Sequence, residues 1–600
     1  MEIKKRSIAD AGYDLLLGNE AIVRGAIESN VGFVSIYPGT PISEIGMEID
    51  RNSGEFNIVY EVSVNEKVAL ESAIGASLSG VRALVAMKHV GLNVASDPLM
   101  TLAYIGVRGG LVIITGDDPG CYSSQNEQDN RNYSSFSKVT MLEPSSPEEC
   151  RMMTKEAFKI SEKYNSPVII RTTTAINHSR GFVSKLSNIS KNSNEKGFIK
   201  KTNQYVPVPS NARNLHRALV NSINVIQNYA DLSELNFHVG SGRLGILTSG
   251  YCYNMVMDSL MRLNCEDKFK VYKLGITYPL SELKLLEFVK SVGQVLVIEE
   301  LSPYLETKLR SIIHKEGLSN KIYGKGFSGL VETGSYSIDQ VDDAVREILG
   351  WSSITTKSYD VINIIKNIPS RPPILCTGCP HRSTYLTVKF IYRSNAVYSS
   401  DIGCYTLGVQ EPIEMTDLFT SMGASVSSAS GLSLFNDDPV VAFIGDSTFF
   451  HSGITGLINA VYNNHNFLLV IMDNEVTAMT GMQNNPGVRL SGRNVNIESI
   501  VSGCGVEWCK VIDPNNVQES FRVINESRKV EGIRVIIARS PCALNVMKKP
   551  HNEVNYSYRV DTDKCQACHN CSDTTACSTE KSTDYQFMRI DQLLSVEDSN

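Results

Sequence analysis

PVVAFIGDSTFFHSGITGLINAVYNNHNFLLVIMDNEVTAMTG (439–481) contains two apolar runs of strand length with a segment of helical period between them. The first run ends at Gly445, with Asp446 at its carboxyl end, and the second ends at Asp473-Asn474. Between them Ile454, Leu457, Ile458 and Val461 recur at i, i+3, i+4 and i+7, the spacing of one apolar helix face. Strand, helix and strand in this order predict a βαβ unit with parallel strands. Residues that act in such a sheet emerge at the carboxyl ends of its strands. Asp446 and Asn474 are therefore expected as neighbours, although 28 positions separate them. An Asp carboxylate, an Asn carbonyl and a backbone carbonyl from the following turn form a hard oxygen set suited to Mg²⁺, with diphosphate oxygens completing the shell. The same polar strand ends could instead merely cap helices.

Working outward, similar runs stop at Gly, Asp or Ser along the whole chain: FVSIYPGT (33–40), ALVAMKHVG (83–91), LVIITGDD (111–118), PVIIRTTT (167–174) and LGILTSG (244–250). VLVIEE (295–300), AVYSSDIG (396–403) and RVIIARS (534–540) continue the series. Unalternated runs separated by helix-length segments are the mark of parallel strands covered on both faces. The fold class is α/β, built more than once. Three breaks interrupt it: 190–240, with KNSNEKGFIKKTNQYVPVPS and a polar helical stretch; 351–373, from WSSITTKSYD to NIPSRPP; and 547–563, MKKPHNEVNYSYRVDTD.

At 600 residues the chain is long enough for three to five domains. Lys plus Arg number 57 against 64 Asp plus Glu, a net charge of -7 that argues against a broad nucleic-acid footprint. No apolar run reaches membrane-spanning length, and MEIKKRSIAD lacks the apolar core of a secretory signal, so a cytoplasmic protein with no membrane contact is expected. Ten of the 14 cysteines are scattered, as reduced thiols would be, while four crowd between Cys565 and Cys577.

GDSTFFHSG followed by MDNEVTAMTG resembles the GDG…N signature of thiamine-diphosphate enzymes, with Ser447 in place of the second Gly. More closely, the chain resembles the large (alpha) subunit of archaeal-type indolepyruvate ferredoxin oxidoreductase, in the 2-oxoacid:ferredoxin oxidoreductase superfamily. LLLGNEAIVRGAIESNVGFVSIYPGTPISEI (15–45), EVSVNEKVALESAIGAS (61–77), MKHVGLNVASDPL (87–99), CTGCPHRSTY (376–385) and DIGCYTLG (401–408) carry the likeness, in order, over about residues 1–550. It implies a pyrimidine-side thiamine-diphosphate domain (1–195), a connecting segment (196–240), a transketolase C-terminal-like α/β domain (241–350), a diphosphate- and Mg²⁺-binding domain (366–550) and an abbreviated ferredoxin-like, iron–sulfur tail (560–600).

The resemblance places the metal ligands on Asp446, Asn474 and the backbone carbonyl of Val476, and the glutamate that hydrogen-bonds the aminopyrimidine nitrogen on Glu66. A carboxyl there favours the tautomer whose exocyclic nitrogen removes the thiazolium C2 proton. Glu61 and Glu71 compete for the role. Thr40, in Tyr37-Pro38-Gly39-Thr40-Pro41, falls where the superfamily holds the 2-oxoacid, although two prolines and a glycine also make an ordinary turn. His381, beside Arg382, is implied in the diphosphate region, as one corner of a basic patch. Lys88-His89 closes another strand, where a cation suits an anionic substrate, and His451 is either site-lining or core.

Cys376-x-x-Cys379 lacks the second pair that a structural zinc site needs and, with Cys504 and Cys509, is not assigned to a metal. Cys565, Cys568 and Cys571 have the C-x₂-C-x₂-C spacing of a cubane iron–sulfur loop. Cys577 follows after five residues, and no cysteine lies beyond it. Where the resembling subunits have two such motifs, this tail has one, so one 4Fe-4S cluster on these four thiolates is expected. A cluster with three cysteine ligands, a zinc knuckle and a decayed tail are the alternatives.

The implied reaction is oxidative decarboxylation of aryl pyruvates, chiefly indolepyruvate, with CoA and oxidised ferredoxin, giving aryl-acetyl-CoA, CO₂ and reduced ferredoxin. A smaller beta subunit is the implied partner. The alternatives are the same reaction on another 2-oxoacid, a non-oxidative thiamine-diphosphate decarboxylase or synthase, and a regulatory subunit that keeps the fold without the cofactor.

Overall fold

The computed structural model describes residues 12–185, 197–352, 373–392, 395–488 and 494–547. They fall into two compact units, Met1–Val361 and Ile362–Asn600. Each of the apolar runs named above contains a strand. The cysteines of the tail, Cys565, Cys568, Cys571 and Cys577, lie outside the described residues.

The first unit holds two large sheets. One has seven strands, in spatial order Ile276–Tyr278, Thr140–Leu142, Val168–Thr173, Leu111–Asp117, Ala83–Lys88, Phe33–Ile36 and Val59–Val62. All its pairings are parallel except that of Ile276–Tyr278, which adds an antiparallel edge to Thr140–Leu142. The other has the order Lys321–Tyr323, Gln294–Ile298, Leu244–Ser249, Phe269–Leu274 and Phe237–Val239, with only the last strand antiparallel. A two-stranded antiparallel ribbon joins Tyr13–Leu17 to Arg180–Ser184. The helix Pro209–Leu232 follows the first sheet and buries Leu219, Ile226 and Ala230.

The second unit is built on five parallel strands, in the order Val397–Ser399, Val440–Gly445, Phe467–Asp473, Ile533–Arg539 and Trp508–Ile512. Side chains alternate across a strand, and here both faces are covered. Val441, Phe443, Leu468 and Val470 enter one core, while Val440, Ala442, Ile444, Phe467 and Leu469 enter the other. That double burial is why these strands read as unbroken apolar runs.

The helix Ile454–Tyr462 is present, but it is rotated from the face its apolar spacing predicted. Leu457, Gly456 and Ala460 are its buried residues, whereas Ile458 is 51% exposed. The cause is close packing against the helix Ala424–Ser433: a Cβ on Gly456 would stand 3.1 Å from Val426 Cβ and 2.9 Å from Ser427 Oγ. The smallest side chain lets the two helices approach, and so selects the contact face.

Candidate cofactor and substrate site

In the second unit, Val440–Gly445 and Phe467–Asp473 are adjacent, with Gly445 opposite Met472, so Asp446 and the Asp473-Asn474 pair leave the sheet side by side. Gly445 is required by close approach: a Cβ there would meet the Tyr405 ring at 2.4 Å. Asp446 is 3% exposed. Asn485 Nδ2 donates to its Oδ2 at 2.8 Å, and Ser447 N donates to its Oδ1 at 2.8 Å. No cationic side chain forms an ion pair with Asp446 among the described residues. Its pKa is raised, first by burial and then by the neighbouring Asp473 carboxylate. Asp473 itself accepts from Arg539 Nε at 2.6 Å. Ser447, the departure from the glycine of the signature, accepts at Oγ from Thr477 Oγ1 at 3.0 Å and so ties the two strand-end loops together.

Asn474 is buried. Its Oδ1 accepts from Val476 N at 3.4 Å, and its amide lies 3.4 Å from His381 Nε2. His381 opens the helix Pro380–Tyr392 and sits edge-on to Tyr405. Burial lowers its pKa to about 4, so at neutral pH the ring is uncharged. The expected basic corner is thus a neutral imidazole, because burial strips the ring of the water that would stabilise its charge. Arg382 donates to the Leu375 carbonyl at 2.7 Å. His451 is buried in the turn after Asp446, with Nδ1 2.7 Å from Ser452 Oγ.

In the first unit, Glu66 is the first residue of the helix Glu66–Leu78, where the positive end of the helix favours a carboxylate. The Asn65 side chain caps that helix by accepting from Val68 N at 2.9 Å. Glu66 is 5% exposed and lies against Gly91, where a Cβ would come within 2.7 Å of Glu66 Oε1. Its competitors differ. Glu61 accepts from Ser63 Oγ at 2.9 Å, and Glu71 is exposed and paired with Lys67. Thr40 is half-buried in a turn held by Asn19 Nδ2, which donates to Pro41 O at 2.7 Å. His89 is fully buried, with Nε2 3.2 Å from Asn126 O.

The sequence reading treated Cys376-x-x-Cys379 as a lone pair. Cys379 and Cys404 each lie within electrostatic reach of Cys376 and Cys542, but among the described residues no three cysteines stand close enough to hold a metal ion. Burial and then the other cysteines push the Cys404 thiol up to about 12. Cys542 N donates to Asn474 O at 3.1 Å, which anchors that cysteine beside the Asp446 site. Cys404 and Cys542 are 138 positions apart, so no local spacing joins them. Asp473 and Asn485 were likewise missed: the first was read only as a strand end, and the second has no motif around it.

Residues 24–231 match the family described as pyruvate flavodoxin/ferredoxin oxidoreductase, thiamine diphosphate-binding, and residues 401–538 match the thiamine pyrophosphate enzyme C-terminal TPP-binding domain. Fold and matches together define a thiamine-diphosphate-dependent oxidoreductase with two cofactor-binding α/β domains. Within that class the chain belongs to the family of the indolepyruvate oxidoreductase subunit IorA. It is 43% identical to the Methanothermobacter marburgensis subunit over 591 residues, covering 95% of this chain and 93% of that one. To the Archaeoglobus fulgidus subunit it is 39% identical over 599 residues, covering 97% and 94%. Similarity to the 2-oxoglutarate synthase subunit KorA of the same organism is 29% over 176 residues, 28% of this chain and 50% of that one. Among the described residues, no helix is long and apolar enough to cross a membrane.

Proposed function

We propose that this chain is the thiamine-diphosphate-binding subunit of an enzyme that oxidatively decarboxylates aryl pyruvates, chiefly indolepyruvate. CoA takes the acyl group and ferredoxin the electrons. We place the enzyme in the cytoplasm, paired with a smaller second subunit. The near-full-length likeness to IorA subunits, against the partial likeness to KorA, carries the choice of substrate.

Asp446, Asn474 and the Val476 carbonyl fit Mg²⁺ and diphosphate. A buried carboxylate with no cationic partner, next to a second carboxylate, calls for a cation. The Asn474 amide, the Val476 carbonyl and diphosphate oxygens would complete the set beside the Asp446 carboxylate. His381, uncharged, orients the Asn474 amide. Glu66 fits the aminopyrimidine role through its burial at a helix start, and the half-buried Thr40 contacts substrate. Bound thiamine diphosphate supplies the electron sink that the decarboxylation needs.

The tail cysteines Cys565, Cys568, Cys571 and Cys577, which lie outside the described residues, are the candidates for iron–sulfur ligation. A 4Fe-4S cluster on them would supply one-electron transfer.

The test is anaerobic turnover by the full chain with its partner subunit, following CoA-dependent viologen reduction. A higher kcat/KM for indolepyruvate than for pyruvate or 2-oxoglutarate is expected, and the reverse order overturns the substrate assignment. Iron analysis of the same preparation tests the tail cluster: about four irons per chain are expected, and about eight would defeat a single cubane.

A further inference from the structure

Lys88 ends the strand Ala83–Lys88 at the carboxyl edge of the first sheet. Its stem lies across Gly39, where a Cβ would stand 3.0 Å from Lys88 Cβ and 3.5 Å from its Cδ. Gly39 immediately precedes Thr40, so the side chain runs along the turn already assigned to substrate. The residue is 9% exposed. Its Nζ donates to Ser123 O at 2.6 Å and lies 3.5 Å from Ser123 Oγ.

What this ammonium lacks is a carboxylate. Among the described residues it forms no ion pair. The acidic group that acts on it most, Asp118, is committed elsewhere. Asp118 Oδ2 accepts from Ser123 N at 2.9 Å and from the Ser124 hydroxyl, while Oδ1 accepts from Thr174 Oγ1 at 2.8 Å. An ammonium has three donors, and the Ser123 carbonyl takes one. With Asp118 acting on it only from beyond ion-pair distance, the buried ammonium has donors left to turn to an arriving anion, which would lower the cost of its burial. Burial lowers the Lys88 pKa to about 8, against the opposite pull of Asp118 and Cys121, so the group remains mostly protonated at pH 7.

We propose that Lys88 binds the carboxylate of the 2-oxoacid, with the Thr40 hydroxyl as a second donor; the assignment rests on the reaction proposed above. It makes Lys88 a determinant of selectivity for acids over neutral ketones of the same shape. CoA phosphates are the competing anion, and the test separates them.

The full chain with its partner subunit, loaded with cofactor, is compared with Lys88→Met and Lys88→Arg. The probes are phenylpyruvate and its neutral amide, titrated by calorimetry, together with KM values for the aryl pyruvate and for CoA. Lys88→Met is expected to weaken phenylpyruvate binding and raise its KM by about 10- to 100-fold, the weight of a charge-assisted hydrogen bond. Amide binding, CoA KM and thiamine diphosphate affinity should stay within about twofold. Lys88→Arg should recover part of the loss, and Lys88→Gln carries the same comparison where Lys88→Met does not fold. Equal losses for acid and amide, an unchanged acid affinity, or a loss confined to CoA overturns the assignment. A wild type that binds phenylpyruvate through Lys88 yet turns over no 2-oxoacid overturns the reaction and leaves the anion site standing.

Discussion

At the end of the strand Val440–Gly445 stands a buried carboxylate with no cationic partner; at the end of Ala83–Lys88 stands a buried ammonium with no carboxylate partner. Both strands are parallel, interior to their sheets and buried on both faces. A third group of buried charges shows what either edge would look like with structure as its only task. Arg131 is fully buried and donates to Asp129 Oδ2 at 2.7 Å, to Glu299 Oε2 at 2.7 Å and to the Glu300 carbonyl at 2.8 Å. Arg171 donates to Asp117 Oδ2 at 2.7 Å and lies 3.4 Å from Glu143. There each cation is matched, and the network stitches the seven-stranded sheet to the loop after Gln294–Ile298. Unmatched charge at a strand end, not burial of charge as such, separates a ligand site from a brace.

Four substitutions test that distinction, beginning with the largest effect. Glu66→Gln should fold and bind thiamine diphosphate, because size and most hydrogen-bonding geometry persist. Exchange of the thiazolium C2 proton, followed by NMR, should fall by about 10²–10⁴-fold. A wild-type rate would move the role to another group. Arg131→Met removes one member of the matched network, strips Glu299 of its ion pair and leaves Asp129 only the longer contact to Arg171. A loss of about 3–5 kcal/mol is expected in denaturant unfolding, and an unchanged midpoint would contradict the bracing role.

Smaller effects sharpen the picture. Asn474→Ala should weaken Mg²⁺-dependent cofactor binding by about tenfold, since one oxygen ligand goes while the Asp446 carboxylate stays. Calorimetry at saturating Mg²⁺ measures it, and an unchanged affinity would remove Asn474 from the shell. Glu71→Gln is the control for Glu66. Its side chain is exposed and paired only along its own helix with Lys67, so exchange should stay within about twofold and stability within about 0.5 kcal/mol.

How much of this was legible in the sequence follows from where each residue lies. The doubly covered strands were readable because burial on both faces leaves no polar alternation, as in FLLVIMD and VVAFIG. Two other strands were not: Val59–Val62, at the edge of its sheet, is half-exposed, and FKVYKL at Phe269–Leu274 is interrupted by two lysines, so neither gives a continuous run. Asp446 and Asn474 were legible because they close two such strands, and the parallel register brings strand ends together. Asp473 and Asn485 were not, since nothing local distinguishes a residue that acts by lying beside a carboxylate far off in the chain. The charge state of His381 was misread for a similar reason: Pro-His-Arg looks basic as a string, and only the fold reveals a ring stripped of water. The electrostatic reach of Cys404 and Cys542 to Cys376 and Cys379 belongs with these, as they come from separated parts of the chain.

The central claim is that Asp446 anchors the metal and diphosphate of the cofactor. Its most direct test is calorimetric titration of thiamine diphosphate into the wild-type chain and Asp446→Ala, each with and without Mg²⁺, with circular dichroism to establish that the variant folds. The account expects tight binding by the wild type only with Mg²⁺ and no measurable binding by the folded variant in either condition. Tight, Mg²⁺-dependent binding retained by Asp446→Ala would contradict it.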